Sequence, residues 1–352
     1  MPDTLAEVIF AIPGDLASPT GGYAYDRRLL ELFESYGLGA RHLALPGSFP
    51  HPSKADLAET ERLLAATSPN ARLLIDGLAY GAMPADLIRR LDRRIIALVH
   101  HPLALETGLD ARRREALIAS ERAALALARH VIVTSDATRR MLIDDFGVAD
   151  AKITVAEPGT DPAPRATGTG TPIQLLSVGA VSPRKGYDIL VAALAKLKGS
   201  DWRLTIAGAL DRDEQAVKAL KANIDAAGLG DQITLAGTVV PATLSRFYES
   251  ADLFVMPSLH EGYGMVLAEA MAHGLAIVCT TGGAAGETVP DAAAIKVPPG
   301  DVDALARAIA TVLDDNKLRK SLRKASWETG RTLPTWNETA RRVAAALVGI
   351  RT

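Results

Sequence analysis

Short apolar runs rich in β-branched residues alternate with longer amphipathic stretches along almost the whole chain. The short runs are typical of buried β-strands, and the longer stretches are typical of helices that cover a sheet. Such alternation predicts parallel sheets with right-handed helical crossovers, that is, a doubly wound α/β fold. It also predicts where function lies, because open parallel sheets bind their ligands beyond the carboxyl ends of the strands.

The predicted elements form two series. The first has strands at 7–12, 72–77, 94–99, 130–135 and 152–159 and helices at 27–36, 53–66, 84–93, 111–129 and 137–146, the last of these capped by Asp136. The second has strands at 173–178, 203–207, 232–236, 253–256 and 275–279 and helices at 186–197, 212–227, 241–250, 264–273 and 301–314. A last amphipathic helix is predicted from Thr335 to Val348.

Residues 158–172 separate the two series and contain four prolines and three glycines, which predicts a linker. We therefore expect two Rossmann-like domains, residues 1–165 and 166–334, with residues 335–352 forming the final helix. Two such domains facing each other would leave a cleft, which is the expected place for a ligand.

Charge and cysteine content exclude several classes of protein. The 352 residues carry a formal charge of −2, with −3 up to residue 165 and +1 beyond it, so binding through nucleic-acid phosphates is not expected. The single Cys279 excludes a disulfide framework and a cysteine-based zinc site, and it fits a reducing cytosol. The N-terminus has no signal-peptide pattern, and the most apolar uncharged stretch, 270–286, is broken by polar residues and glycines. A cytoplasmic protein is expected.

Two arginine clusters bear on the expected location of the protein in the cell. Arg89, Arg90, Arg93 and Arg94 lie on and after one predicted helix, and Arg112 to Arg114 lie near the next. Solvated helix faces explain them most simply. Peripheral contact of the N-terminal domain with an anionic lipid surface, at the inner face of the membrane, stays an alternative.

The segment HEGYGMVLAEAMAHG, residues 260–274, lies at a predicted strand-to-helix turn. Met265 begins the helix, whose free N–H groups and positive dipole end suit a phosphate. Glu261 precedes the turn, and Glu269 lies about one helical turn inside; a carboxylate accepts readily from vicinal hydroxyls. The residues of the turn itself are Gly262, Tyr263 and Gly264. The alternative is a surface turn with one solvated glutamate. That explanation fits poorly with a glutamate on either side of the glycines.

Arg184 and Lys185 follow the predicted strand that ends at Gly179 and precede a helix. Adjacent cations at the carboxyl end of a strand are well placed to neutralise a leaving diphosphate. A solvated loop is the alternative explanation of this pair.

Two glycine pairs and one histidine complete the candidate site. Gly282-Gly283 follows a strand in the second series, and Gly21-Gly22 is expected to form a loop in the first; the amides of both pairs could approach a ligand. His100 follows the strand IIALV, where a neutral imidazole could donate to a phosphate or a sugar hydroxyl. The role of His101 stays open.

Other sites are not supported. The triplets Asp211-Arg212-Asp213 and Asp301-Val302-Asp303 lie at predicted helix starts, where capping explains them, so no metal site is expected. No G-x-G-x-x-G follows the first strand, and neither a P-loop nor a G-x-S-x-G motif occurs, which weakens dehydrogenase, P-loop NTPase and α/β-hydrolase interpretations.

The E-x7-E pattern of Glu261 and Glu269 resembles the signature of the retaining glycosyltransferases of family four, which have the GT-B fold. The resemblance covers nearly the whole chain. It includes, in order, Gly21-Gly22, IIALVH ending at His100, VTSDATRRM at 133–141, ITVAEPG, VGAVSPRKG, ADLFVMPS, TGGAAGETV and VPPGD. Its last element is the helix containing Trp336, which in that family returns to the first domain.

The resemblance implies a sugar-nucleotide donor held mostly by the second domain and an acceptor held mostly by the first. Glu269 would hold the ribose hydroxyls and Glu261 those of the donor sugar. Lys185, with Arg184, would stabilise the departing diphosphate, helped by the backbone of 262–265. His100 would face the sugar and phosphate from the first domain. Where family members often have arginine, this chain has Ala180.

The implied reaction is transfer of a hexose from a UDP- or GDP-sugar with retention, by front-face displacement, without a metal or another cofactor. The acceptor is open: a lipid, a glycan, a protein or a small metabolite. A nucleotide-sugar epimerase and a non-catalytic nucleotide-sugar binding protein are the alternatives.

Overall fold

The computed structural model describes residues 6–106 and 109–349. The chain forms two compact units. Unit 1 consists of Met1–Gly159 and Pro334–Thr352, and unit 2 consists of Thr160–Leu333.

Unit 1 contains a six-stranded parallel sheet. Its strands are β1 (Ala6–Pro13), β2 (Leu38–Leu45), β3 (Arg72–Asp76), β4 (Ile95–Val99), β5 (His130–Val133) and β6 (Ile153–Val155). Its helices are α1 (Gly21–Leu32), α2 (Lys54–Ala65), α3 (Gly77–Tyr80), α4 (Ala85–Leu91), α5 (Ala111–Leu127), α6 (Asp136–Asp144) and, from the end of the chain, α14 (Trp336–Gly349). The strand order is β2-β1-β3-β4-β5-β6.

Unit 2 contains a second six-stranded parallel sheet. Its strands are β7 (Ile173–Val178), β8 (Trp202–Ala207), β9 (Ile233–Gly237), β10 (Leu253–Met256), β11 (Ala276–Thr280) and β12 (Ala294–Val297). Its helices are α7 (Tyr187–Ala195), α8 (Glu214–Ala227), α9 (Pro241–Ser250), α10 (Met265–Ala272), α11 (Ala285–Thr288), α12 (Val302–Asp314) and α13 (Asn316–Gly330). The strand order is β12-β11-β10-β7-β8-β9.

Both sheets reverse their strand order once, and the reversal positions the functional site. The chain of unit 2 starts at β7, moves outward through β8 and β9, and returns on the other side at β10. In unit 1 the corresponding reversal lies between β1 and β3. At a reversal, two neighbouring strands are followed by connections that cover opposite faces of the sheet. A crevice opens between these connections, at the carboxyl ends of the two strands. The segments after β7 and β10 therefore meet at such a crevice in unit 2.

The central strands are buried on both faces, as expected for parallel sheets covered by helices. All five residues of β4 and all five of β11 are buried. In each unit the core forms around the central strands and the helices packed on them. The two-domain doubly wound α/β class predicted from the sequence is confirmed.

The sequence failed to predict five elements: β2, β12, α3, α11 and α13. Strands β2 and β12 lie at the sheet edges, where one side of the strand has no neighbour. The interior of β2 is only partly buried and carries Arg41 and His42, so it lacks the continuous apolar run of a central strand. Helices α3 and α11 have four residues each, too few to show a helical period.

Two predicted local features were wrong. Helix α1 begins at Gly21, not near residue 27, because the side chain of Thr20 accepts a hydrogen bond from the Tyr23 amide and starts the helix there. The cap of α6 is Ser135, whose side chain accepts from the Thr138 amide, and not Asp136.

The division between the units lies at Gly159, six residues before the predicted boundary. Pro158 and Gly159 of the predicted linker belong to unit 1, and residues 160–172 belong to unit 2, where several of them are hydrogen-bonded to its other residues. The Ala166 amide donates to the His273 carbonyl over 2.8 Å. The buried Asp252 carboxylate accepts from the Gly170 amide.

The final helix, α14, belongs to unit 1, as the family resemblance implied. Trp336 is buried and meets the Tyr25 ring edge-on, with centroids 5.8 Å apart. The Thr339 hydroxyl donates to the Glu157 carbonyl over 2.7 Å. The polypeptide therefore passes through unit 2 and returns to complete the core of unit 1.

No helix in residues 6–106 or 109–349 has both the length and the hydropathy needed to cross a bilayer.

Candidate active site

A buried ion cluster lies where β7 and β10 end in unit 2. Because these strands are parallel neighbours, the segments that follow them emerge at the same edge. Lys185 Nζ lies 2.7 Å from Glu261 Oε1, and Arg184 Nη1 lies 3.4 Å from Glu261 Oε2. The sequence named these three residues from two separate motifs, and the fold brings them together.

The charge of Glu261 is fixed by its partners. Burial by itself would raise the pKa of the Glu261 carboxyl, but the charges of Lys185 and Arg184 outweigh it and lower the pKa to about 2. The carboxylate is therefore ionised throughout the physiological range. It aligns two cations at one point, so the cluster has a net positive charge and suits an anionic ligand.

Gly282 and Gly283 hold the backbone of Glu261. The Glu261 amide donates to the Gly282 carbonyl, and the Ala284 amide donates to the Glu261 carbonyl over 2.8 Å. A Cβ at Gly282 would lie 2.2 Å from the Leu259 carbonyl oxygen, so only glycine permits this close approach. The structure thus gives the pair a supporting role that the sequence did not predict.

Helix α10 starts at this cluster with its N-terminus uncapped by any side chain. Its N-cap is Gly264, in the left-handed conformation with φ of 89°, and Met265 is the first helical residue. The first-turn amides of a helix have no intrahelical acceptor, and the helix dipole adds partial positive charge there. In the preceding turn Tyr263 is buried, and its carbonyl accepts from the Thr288 hydroxyl, which fixes the turn that contains Gly262.

Glu269, on the second turn of α10, has a different environment from Glu261. Its Oε2 accepts a hydrogen bond of 2.7 Å from the Tyr248 hydroxyl. The Tyr248 ring stacks on His273 with centroids 4.9 Å apart. Burial raises the pKa of the Glu269 carboxyl, and no cation offsets it as Lys185 does for Glu261. Sequence reasoning missed Tyr248 because it lies on another helix, α9.

Gly179, at the end of β7, leaves the space that Lys185 needs. A Cβ there would lie 2.9 Å from Lys185 Cε. The Gly179 carbonyl accepts from the Tyr187 hydroxyl over 3.0 Å. The next residue is Ala180, and the second cation of the cluster is Arg184.

In unit 1, His100 follows β4 as predicted, and two carboxylates contact it. His100 Nε2 lies 3.3 Å from Asp26 Oδ1 and 3.6 Å from Asp76 Oδ2. Asp26 is on α1, and Asp76 ends β3 and caps α3 through the Leu78 amide. The sequence analysis missed both. Asp76 directly after a buried strand was a usable signal, whereas Asp26 inside a helix gave none.

Gly21 and Gly22 are the first two residues of α1 and do not form the predicted loop. A Cβ at Gly22 would lie 3.3 Å from His100 Cδ2, so this glycine leaves room for the imidazole. His101 pairs with a different carboxylate from those beside His100. The Nε2 atom of His101 lies 2.6 Å from Glu106 Oε1.

Two kinds of acidic group bear on metal binding: the Asp-x-Asp triplets and the carboxylates beside His100. Capping accounts for both Asp-x-Asp triplets, as predicted, because Asp213 caps α8 and Asp301 caps α12. The donor atoms of Asp26, Asp76 and His100 lie within 4.8 Å of one another.

Comparison with known proteins identifies the family. Residues 162–328 match the model described as "Glycosyl transferases group 1", and residues 37–164 match "Glycosyltransferase Family 4". The chain belongs to glycosyltransferase family four. The two matches follow one another along the chain and together include every predicted site residue except Gly21 and Gly22.

Among curated members of the family, a D-inositol 3-phosphate glycosyltransferase of Kineococcus radiotolerans is 29% identical over 66% of this chain and 61% of its own length. A mannosylfructose-phosphate synthase of Agrobacterium fabrum is 29% identical over 62% of this chain and 52% of its own. A mannosyltransferase of Mycolicibacterium hassiacum is 25% identical over 84% and 77%. The chain spans less than two thirds of the length of the first two relatives.

Solved structures share the fold over nearly the whole family-four chain. A sucrose-phosphate synthase from Thermosynechococcus elongatus superimposes with a TM-score of 0.78 at 22% identity, covering 96% of this chain and 97% of its own. The Anabaena protein HepE, in complex with UDP-glucose, gives a TM-score of 0.74 at 18% identity, covering 97% and 99%. The two-domain α/β fold is therefore GT-B.

Proposed function

We propose that this family-four glycosyltransferase is a hexosyltransferase that uses a nucleotide-diphosphate sugar, UDP- or GDP-linked, and transfers the sugar to an acceptor hydroxyl with retention of configuration. The observation that carries the proposal is the ion cluster of Lys185, Arg184 and Glu261 beside the uncapped start of α10. The Leu267 amide donates to the Gly264 carbonyl, so the two cations together with the amides of Met265 and Val266, at the crevice of unit 2, form the proposed binding place for a diphosphate.

In this proposal the donor diphosphate binds the amides that begin at Met265 and the ammonium of Lys185. Glu269 accepts from the ribose hydroxyls, since only one of its oxygens is used by Tyr248. Glu261 accepts from the hydroxyls of the sugar while it keeps the two cations in position. HepE, which shares the fold, was solved with UDP-glucose, and this supports a donor of that class.

The chemistry proposed is a front-face displacement. The bond between the anomeric carbon and the diphosphate oxygen breaks, and the acceptor oxygen bonds to that carbon from the same side. The acceptor proton passes to the departing diphosphate. Such a route depends on positioning and on stabilising the leaving group, which Lys185 and Arg184 supply, so that it needs neither a protein nucleophile nor a metal ion.

Donor binding is tested first by thermal unfolding with UDP, GDP, ADP and their sugars. A ligand that binds only the native state must raise the melting temperature. At a free ligand concentration of 100 times Kd, binding adds about 2.7 kcal/mol to the free energy of unfolding. We expect a shift with one UDP- or GDP-sugar, and the shift should vanish in Lys185→Ala combined with Glu269→Ala. Lys218→Ala, an exposed residue on α8, is the matched control.

Transfer is then measured with that donor and a panel of acceptors, and the anomeric configuration of the product is determined by NMR. Full transfer by the doubly substituted protein would refute the proposal. An epimerised sugar formed from donor alone would establish the epimerase alternative. Binding without turnover on any acceptor would establish a non-catalytic binding protein.

A further inference from the structure

His100 separates two buried carboxylates from solvent in unit 1. Asp26 is 0% exposed and Asp76 is 1% exposed, whereas the His100 side chain retains 20% of its exposure. Both carboxylates contact the same ring nitrogen, Nε2. This leaves Nδ1 as the ring nitrogen that can meet a substrate.

The two carboxyls are too close and too buried to be ionised together without compensation. Burial, followed by the charge of Asp26, raises the pKa of Asp76 to about 7. Within the described residues, Asp26 Oδ2 accepts from no N–H group or hydroxyl. A protonated Asp76 can donate to that oxygen, so one negative charge is left beneath the imidazole.

That remaining charge acts on His100. Burial by itself lowers the pKa of the imidazole, but the hydrogen bond to Asp26 and the charge of Asp26 outweigh it and raise the pKa. The other groups against the ring are neutral: the Tyr25 ring meets it edge-on at 5.3 Å, and the Thr134 hydroxyl donates to its carbonyl. His42 lies within the field of Asp26, and burial lowers the pKa of its imidazole, which keeps it neutral.

The ring is also held in place. Asp76 is fixed by its second oxygen, which accepts from the Leu78 amide over 2.8 Å. Tyr25 lies against the ring at an interplanar angle of 85°, and its hydroxyl donates to the Ala156 carbonyl. A Cβ at Gly22 would already press on Cδ2 of His100.

We propose that Asp26 and Asp76 are positioning residues that keep His100 as an imidazolium, with Nε2–H bound to the Asp26 carboxylate and Nδ1–H offered to an anionic oxygen of the substrate. The proposal rests on the proposed function for the identity of the ligand. It replaces the neutral imidazole expected from the sequence with a charged donor, which binds an anionic oxygen more strongly than a sugar hydroxyl.

The charge state is tested by NMR titration of the histidine ring signals in the full chain, with His100 assigned through His100→Gln. We expect His100 to titrate above 6.5, the ordinary value. Asp26→Asn should lower the titration midpoint by one pH unit or more, and Asp76→Asn by less, because Asp76 carries the shared proton. Glu106→Gln, which removes the partner of His101, is the matched control and should leave His100 unchanged.

A midpoint at or below 6.5 in the wild-type protein, or one that Asp26→Asn does not move, overturns the proposal. If Asp26→Asn does not fold, the wild-type midpoint and Asp76→Asn still decide it. These titrations need no substrate, so they are independent of whether the protein transfers a sugar.

The substrate side is tested by the pH dependence of kcat/KM for the donor found by thermal shift. Activity should fall as pH rises through the His100 midpoint, and in Asp26→Asn this alkaline limb should move to lower pH by the NMR difference. An alkaline limb that stays in place while the NMR midpoint moves would overturn the contact of Nδ1–H with substrate but not the ion-pair cluster of Asp26, Asp76 and His100.

Discussion

At the scale of single residues, the environment gives two similar glutamates opposite properties. Glu261 and Glu269 are eight positions apart, before and within α10. The cations beside Glu261 lower the pKa of its carboxyl, whereas burial raises that of Glu269. The first carboxylate therefore aligns positive charge, and the second is an acceptor poised for neutral hydroxyls, with one oxygen fixed by Tyr248.

This arrangement predicts a selective effect of Tyr248→Phe. The Tyr248 hydroxyl positions Glu269 and does not touch the donor, so only part of the bond's worth of about 1.5 to 3 kcal/mol is lost from binding, and donor KM should rise roughly 3- to 10-fold. The stacking on His273 is retained, and kcat should change by less than about threefold, because the reacting atoms are not touched. Steady-state kinetics with varied donor concentration checks this; Tyr36→Phe, which loses a bond to Asn337 in unit 1, is the control. An unchanged donor KM would contradict the role of Tyr248.

At the scale of elements, starts of helices serve two purposes in this chain. Several are closed by a side chain, as Thr20 closes α1 and Ser135 closes α6. Helices α7 and α10, which flank the ion cluster, begin at left-handed glycines, Gly186 and Gly264, and have no side-chain cap. Helices α4, α9 and α11 also begin without a side-chain cap, but of the helices in the described residues only α7 and α10 do so at left-handed glycines beside the candidate diphosphate site, where uncapped amides can bind an anion.

The capped starts should carry stability instead. Ser135→Ala removes the acceptor for the Thr138 amide and should lower the free energy of unfolding of unit 1 by about 1 kcal/mol. Asp136→Ala should cost clearly less, because Asp136 is the first helical residue and not the cap. Calorimetric unfolding of both variants checks this. Equal losses would mean that the sequence prediction of Asp136 as the cap was correct after all.

At the scale of the whole molecule, one buried acid makes unit 1 sensitive to pH. Glu121 on α5 is 2% exposed, and its Oε2 accepts from the Ala104 amide. A Cβ at Gly81 would lie 2.6 Å from Glu121 Cγ, so the acid lies in a closely packed place. Burial raises the pKa of its carboxyl to about 7.

A carboxyl with a raised pKa in the folded state binds its proton more tightly there than in the unfolded state. Its protonation therefore stabilises the folded state at low pH. As pH rises from about 4.5 to 7, this stabilisation is lost, and the free energy of unfolding falls by an amount on the order of 3 kcal/mol. The melting temperature of unit 1 should fall between pH 5 and pH 8, and Glu121→Gln should remove the share of this fall that Glu121 contributes, while Asp76, whose pKa burial also raises to about 7, keeps its own share. Glu115→Gln, exposed on the same helix, should not. An equal fall in melting temperature in the wild-type protein and both variants would show that ionisation of Glu121 does not destabilise the folded state.

The sequence by itself determined the fold class, the central strands and the identity of the donor-side cluster. Alternating apolar runs require parallel sheets, and the carboxyl ends of parallel strands converge, so Lys185 and Glu261 could be named from local motifs. Only the tertiary structure decided the partners that set ionisation, such as Asp26 for His100 and Tyr248 for Glu269. Those contacts join elements far apart in the chain, and a buried carboxylate inside a helix leaves no period or motif from which its partner could be found.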